Sequence, residues 1–193
     1  MSAWTNLKAD TFRQYGEFGW SHLLVGALRN RNYRAIVTMR LCQIAATSVV
    51  FGRVLLPVCK VLHHFATHLA CIDLSWKIDA GPGLAITHGW GLVVSPGARI
   101  GSNCTLFHGV TLGRRDQISA DGSRLTRYPI LEAEVWVGPH AIIVGGVTVG
   151  RGSRIGGGAF VSKDIPPYSV VSGNPAVVVK SNCVPDVMNP APN

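Results

Sequence analysis

An apolar residue stands at every sixth position through two stretches of this chain: Val94, Ile100, Leu106 and Leu112, then Val137, Ile143, Val149, Ile155 and Val161. A helix repeats every ~3.6 residues and a strand every ~2, so neither sustains a step of six. A small residue sits four places after many of these positions, at Cys104, Ala141, Ser153 and Ala159. Glycine often follows directly, at Gly101, Gly113, Gly138, Gly150 and Gly156. This is the pattern of a parallel β-helix, in which each six-residue unit gives one short strand and one corner. Three units close a triangular coil of about 18 residues, so side chains that far apart stack in one column. The expected fold is mainly β: a left-handed parallel β-helix preceded by an N-terminal α-helical segment.

Residues 1–72 read as helical, rich in Ala, Leu, Val and Arg, with Pro57 as the only proline. That proline is expected to separate or kink two helices. The coil is expected over residues 73–175. Its rhythm breaks once, at 114–129, a polar stretch containing Asp121-Gly122 that reads as a loop extruded from a corner. A loop of that length in so regular a scaffold is more often functional than accidental. Residues 176–193 form a C-terminal tail, expected to be loose after Asn182. In the helical part, His64 and His68 have metal-ligand spacing, but no acidic or Cys ligand stands at a fitting distance. They and His63 read as polar points on a packed helix, and no metal is expected.

Of the 193 residues, 47% are apolar and only 15% charged, which permits a core and argues against disorder. The net charge of +8 suggests an anionic partner: a membrane surface, a polyanionic glycan or a phosphorylated cofactor. Nucleic acid is set aside, because no reading helix, zinc-finger spacing or aromatic–basic platform is present. Five scattered cysteines without paired spacing fit a reduced, cytoplasmic protein. The first 20 residues lack an uninterrupted apolar core, so no cleavable leader is expected. The charge-free run 41–52 is too short to span a bilayer. Within 41–72 the only charges are Arg53 and Lys60, and Arg29, Arg31, Arg34 and Arg40 precede them. Core packing or a trimer contact is the expected use of this segment, and a peripheral contact with the inner face of an anionic membrane is the alternative. Flat faces of such prisms pack around a three-fold axis, so a homotrimer is expected, with a dimer of trimers left open.

Asp73 and His88 stand out as chemistry-bearing groups. They are 15 positions apart, near one coil, and come close if the first coil is irregular. An imidazole with one nitrogen held by a carboxylate presents the other as a proton acceptor. A structural histidine on a surface corner is the competing reading. His108 lies about one coil above His88 and lines the same groove or caps a turn. No Gly-x-Ser-x-Gly elbow is present, and Cys104 occupies an inward small-residue slot. Direct attack by a bound hydroxyl is therefore favoured over covalent catalysis.

From Asp73 to Lys180 the chain resembles the catalytic domain of serine O-acetyltransferases and their relatives in polysaccharide biosynthesis. The segments that carry the resemblance are Cys71-Ile72-Asp73, Ile86-Thr87-His88-Gly89, His108-Gly109-Val110-Thr111-Leu112-Gly113, Arg127-Tyr128-Pro129, Val135-Trp136-Val137-Gly138 and Ser172-Gly173-Asn174-Pro175-Ala176. The resemblance implies acetyl-CoA as donor, His88 as general base and Asp73 as its orienting carboxylate. It places the pantetheine arm near Gly113, Gly138, Pro139 and Gly157, and the nucleotide end near Ser162, Lys163 and Lys180. It puts Thr87, His108, Arg127 and Tyr128 around the acceptor. Where the serine enzyme has an Asp before its catalytic His, this chain has Thr87. Its Arg-His-Pro loop segment is here Arg127-Tyr128-Pro129. Losing that carboxylate removes a partner for a free ammonium, so the expected acceptor is a hydroxyl of a sugar or polysaccharide precursor. L-Serine is the alternative. A metal hydratase resembling γ-class carbonic anhydrases, using His88, His108 and His140, and an inactive scaffold are the readings of other classes.

Overall fold

The computed structural model describes residues 2–47 and 52–192. Part of the charge-free run 41–52, residues 48–51, lies outside them. Four helices come first: α1 (Ala3–Tyr15), α2 (Trp20–Arg29), α3 (Arg31–Thr47) and α4 (Gly52–Ala70). Pro57 lies inside α4 rather than between two helices, which corrects the expectation. Having no N–H, Pro57 leaves the Arg53 carbonyl without its i+4 donor, and the helix continues past it. α4 turns His63, Ala66 and Ala70 inward. Its other side exposes Val54, Val58, Val61, Phe65 and Leu69.

The remainder is the left-handed parallel β-helix the six-step predicts. Its first face stacks strands Ile72–Leu74, Leu92–Val94, Thr111–Gly113, Ile142–Val144 and Phe160–Val161. The second stacks Asp79–Ala80, Arg99–Ile100, Ile130–Leu131 and Thr148–Val149. The third stacks Ala85–Thr87, Thr105–Phe107, Trp136–Val137, Arg154–Ile155 and Val170–Ser172, and the antiparallel strand Val177–Lys180 closes its edge. All nine six-step residues point inward and are buried, as are Cys104, Ala141, Ser153 and Ala159. One inward residue per strand builds three apolar columns, and the small residue at each corner lets the chain turn without opening a void.

Coil length is not constant, and this positions the site. Val94 pairs with Leu112, 18 positions on, but Leu74 pairs with Val94, 20 positions on. The extra residues fall in the corner His88-Gly89-Trp90-Gly91, between the buried Ile86 and Leu92. His88, Gly89 and Gly91 all have positive φ there, so the corner bulges.

The 114–129 insertion is an antiparallel hairpin rather than a structureless loop. Arg115–Ile118 pairs with Arg124–Arg127, and Asp121-Gly122 sits at its tip. The tail after Asn182 is ordered, contrary to expectation. It runs back across the third face. The Cys183 N–H donates to the Tyr168 carbonyl at 2.7 Å, and Arg154 pairs with Asp186. Asn103 closes both backbone groups of Ala191 at 3.0 Å, its amide standing in for a neighbouring strand.

The helices dock on the first coil through polar anchors. Arg40, buried, donates to Asp10 at 2.7 Å, to the Ala80 carbonyl at 2.8 Å and to the Gly81 carbonyl at 2.6 Å. Asp10 also accepts from the Leu84 N–H at 2.9 Å. Burial pushes the Asp10 carboxyl above the ordinary carboxylate range, while Arg40 pulls against it. His63 bridges Thr38 at 3.0 Å and the Leu74 carbonyl at 2.8 Å.

Candidate acyl-transfer site

His88 stands on the bulged corner that joins the third face to the first. Its φ of 63° turns the side chain out of the strand path, and the imidazole is exposed. The corner is held from above by Arg31. That guanidinium donates to the His88 carbonyl at 3.1 Å and lies 3.6 Å from the centroid of the Trp90 ring. Phe107 and His108 flank the imidazole, with ring centroids at 6.5 Å and 6.0 Å.

Asp73 is not joined to His88 by a hydrogen bond or an ion pair among the described residues. Register gives the reason. Asp73 pairs with Val93 on the first face, five positions beyond His88, because the extra corner residues carry His88 away from the column. The exposed Asp73 carboxylate lies instead in a shallow cleft with His68, Cys71 and Val93.

Below His88, one edge of the prism continues through His108, Pro139-His140 and Gly157-Gly158. The His140 N–H donates to the His108 carbonyl at 2.9 Å and the Gly158 N–H to the Pro139 carbonyl at 2.8 Å. The His108 and His140 rings meet at 5.0 Å, edge to face. Three imidazoles thus line one edge, yet no group of His, Cys, Asp or Glu among the described residues is arranged to hold a metal. Toward Gly157-Gly158 the edge is bare. A Cβ at Gly158 would meet nothing within 4 Å, and one at Gly157 would touch only Pro139. An edge without side chains leaves room for a thin, extended ligand arm. Gly138 differs: a Cβ there would lie 2.8 Å from the Trp136 ring and 2.9 Å from the Gly157 nitrogen, so it serves coil-to-coil packing.

The other expected cofactor residues lie elsewhere. Gly113 ends a first-face strand against Val144. Ser162 reaches a cleft of ≈ 180 Å³ with Arg115, Gln117 and Arg127 at the base of the hairpin. Ser162 and Lys163 border a second, of ≈ 140 Å³, with Phe160 and Val177. Lys180 is exposed on the antiparallel edge strand. Among the acceptor residues, the Arg127 stem lies along Gly146, and the half-buried Tyr128 ring covers Gly97, where a Cβ would lie 2.6 Å from it. Tyr128 packs against the coil instead of presenting a stacking face.

Thr87 points outward from the third face into a cleft of ≈ 360 Å³ between α1, that face and the tail. Arg13, Thr105, Phe107, Trp136 and Met188 line it with Thr87. Phe107 is shared between the cleft and the flank of His88, so the imidazole stands at the cleft's rim. Arg13 and Trp136 were not singled out from sequence. Trp136 precedes an inward six-step residue, and that alternation alone marks it as outward. Arg13 sits in a helix whose docking no local pattern reveals. Burial pushes the Cys104 thiol up to about 12, which removes it as a thiolate nucleophile.

Residues 128–163 match the family described as bacterial transferase hexapeptide (six repeats). The serine acetyltransferase of Buchnera aphidicola subsp. Schizaphis graminum is 34% identical over 109 residues, which are 56% of this chain and 40% of that protein. The serine acetyltransferase of Bacillus licheniformis is 33% identical over 125 residues, 65% of this chain and 56% of that one. This chain therefore spans about half the length of these curated relatives. The crystal structure of serine acetyltransferase in complex with coenzyme A from Brucella abortus strain S19 superposes with a TM-score of 0.71 at 26% identity, covering 93% of this chain and 68% of that one. Residues 128–163 of the coil thus carry the bacterial transferase hexapeptide pattern, and the coil as a whole is built like that of the Brucella abortus serine acetyltransferase.

Proposed function

We propose that the chain is an acetyl-CoA-dependent O-acetyltransferase with His88 as general base. The observation that carries this reading is the position of His88, at the head of a bare glycine edge and at the rim of a cleft of ≈ 360 Å³. The likeness to serine acetyltransferases supports it. Acetyl-CoA supplies a thioester carbonyl. His88 accepts the proton of the acceptor hydroxyl as that oxygen attacks the carbonyl carbon. The C–S bond then breaks, the proton leaves with the thiol, and the acceptor carries the acetyl ester. Pro139 and Gly157, with Gly113, border the pantetheine arm, and Ser162, Lys163 and Lys180 lie toward the nucleotide end. Arg31 and Trp90 fix the corner, and Phe107 and His108 fix the ring, in place of the Asp73 contact.

The names of the relatives support L-serine as acceptor. One observation favours the second reading, a sugar or glycan hydroxyl. Among the described residues, Asp186 is the one acid lining the cleft and it is paired with Arg154, which leaves no free carboxylate among them there for an ammonium. We infer a cytoplasmic homotrimer. Peripheral membrane contact is part of the same proposal, made through the exposed apolar side of α4, whose only Lys or Arg residues are Arg53 and Lys60. No described helix is long and apolar enough to cross a membrane. Thiol release from acetyl-CoA, measured with L-serine and with a panel of sugars and oligosaccharides, tests the activity and ranks the two acceptor classes. Release with neither class would refute it.

A further inference from the structure

The cleft beside His88 contains a cation with an unused donor. Arg13 is 6% exposed. Its Nη2 donates to the Thr105 hydroxyl at 2.8 Å, and its Nε meets no acceptor in the structure. No carboxylate among the described residues lies within ion-pair distance of it, and Asp186 at the same cleft is engaged by Arg154. Burial disfavours the charged guanidinium and lowers its pKa, with Asp186 across the cleft acting against the shift, and arginine keeps its proton at any ordinary pH. A buried guanidinium with no carboxylate in contact is costly, and an anion arriving in the cleft relieves that cost. Beside it, the Phe107 and Trp136 rings meet at 4.8 Å and 53°, forming an angled aromatic wall.

We propose that this cleft binds the acceptor, and that the acceptor carries both a ring and an anionic group: a sugar carboxylate or a sugar phosphate. The anion sits on Arg13, the ring lies along Phe107 and Trp136, and a hydroxyl is turned toward His88 at the rim. The hydroxyl's role rests on the acetyl-transfer reading above, whereas the binding preference does not. Among planar donors, Arg presents a fork that matches carboxylate and phosphate oxygens, and aromatic faces suit a pyranose ring better than a short amino acid.

Isothermal titration of the full chain with glucuronate, glucose 1-phosphate, glucose and L-serine tests the proposal. At least one of the two anionic sugars is expected to bind about tenfold or more tighter than glucose and than L-serine, the usual scale of a charged hydrogen bond. Whichever anion wins distinguishes carboxylate from phosphate. Arg13→Gln is expected to erase the preference and Arg13→Lys to restore part of it. Trp136→Leu is expected to weaken all three sugars alike, leaving the preference in place. Equal binding of glucose and both anionic sugars by the unaltered chain, or tighter binding of L-serine, overturns the proposal, and neither result depends on a variant folding. Titration with coenzyme A runs alongside. Loss of coenzyme A binding with the sugar preference intact would sink the acetyl-transfer reading and leave the cleft assignment standing.

Discussion

The coil and the helical cap share one apolar cluster but differ in what else holds them. In the coil, fixed slots repeat, each filled by Val, Ile, Leu or a small residue, and the burial is spread over the stacked strands of all three faces. The cap joins that cluster through Ala35, Ile36, Met39 and Ala70 and adds a set of buried polar contacts: Arg40 with Asp10 and two coil carbonyls, His63 with Thr38 and Leu74, and Gln43 with the carbonyls of Trp76 and Ile78. Distributed apolar burial tolerates one poor slot, whereas a buried polar joint fails as a unit when one member is lost. The functional groups lie along the seam of the two regions. Arg13 and Arg31 come from the helices, and His88, Phe107 and Trp136 from the coil.

The strongest test of this contrast removes the central joint. Arg40→Ala strands the buried Asp10 carboxylate and is expected to cost roughly 3–5 kcal/mol in chemical denaturation. In hydrogen exchange, the Leu106 and Ile143 amides should stay protected while those of α1 and α3 lose protection. Simultaneous loss in both regions would show one cooperative unit and break the distinction. Leu106→Ala, in the middle of a coil column, should cost about 2–5 kcal/mol from lost burial and the cavity left behind. Its effect is expected to spread over neighbouring coils and to leave the cap's exchange pattern unchanged.

A smaller effect comes from His63. Burial lowers its pKa from the ordinary 6.5, with the Leu74 hydrogen bond acting against the shift. The folded chain therefore binds this proton less readily than the unfolded one. Stability from this group is complete above the ordinary histidine pKa and declines as pH falls below it toward the folded value. Denaturation midpoints measured from pH 7.5 downward should fall, and His63→Gln should flatten that part of the curve. An unchanged slope in His63→Gln would assign the pH dependence to another group.

What could be read from sequence follows the same division. The six-step located every inward residue it named, because a repeated slot imposes the same demand at each turn. It did not give coil length at a single corner, so the two extra residues at His88-Gly89-Trp90-Gly91 could not be located from the repeat. The Asp121-Gly122 turn was legible, but the pairing of Arg115–Ile118 with Arg124–Arg127 was not, since each strand is mostly exposed and carries a single apolar residue, Ile118 or Leu125, which sets no alternation. The tail read as loose because its anchors, Asn103 and Arg154, are far away in sequence. Arg13 was hidden for the same reason, as its meaning depends on a partner 92 positions away. Periodic burial leaves a local signature, and a single long-range polar contact leaves none.

The central claim is that His88 takes the proton of the acceptor hydroxyl. Its most direct test is acetyl-CoA-dependent thiol release by His88→Ala, with coenzyme A affinity and thermal unfolding measured on the same preparation. The imidazole is exposed, so folding and coenzyme A binding should be unchanged, while turnover falls by about 10²–10⁴-fold, the usual worth of a general base. Turnover within a few-fold of the unaltered chain, with fold and binding intact, would contradict the account.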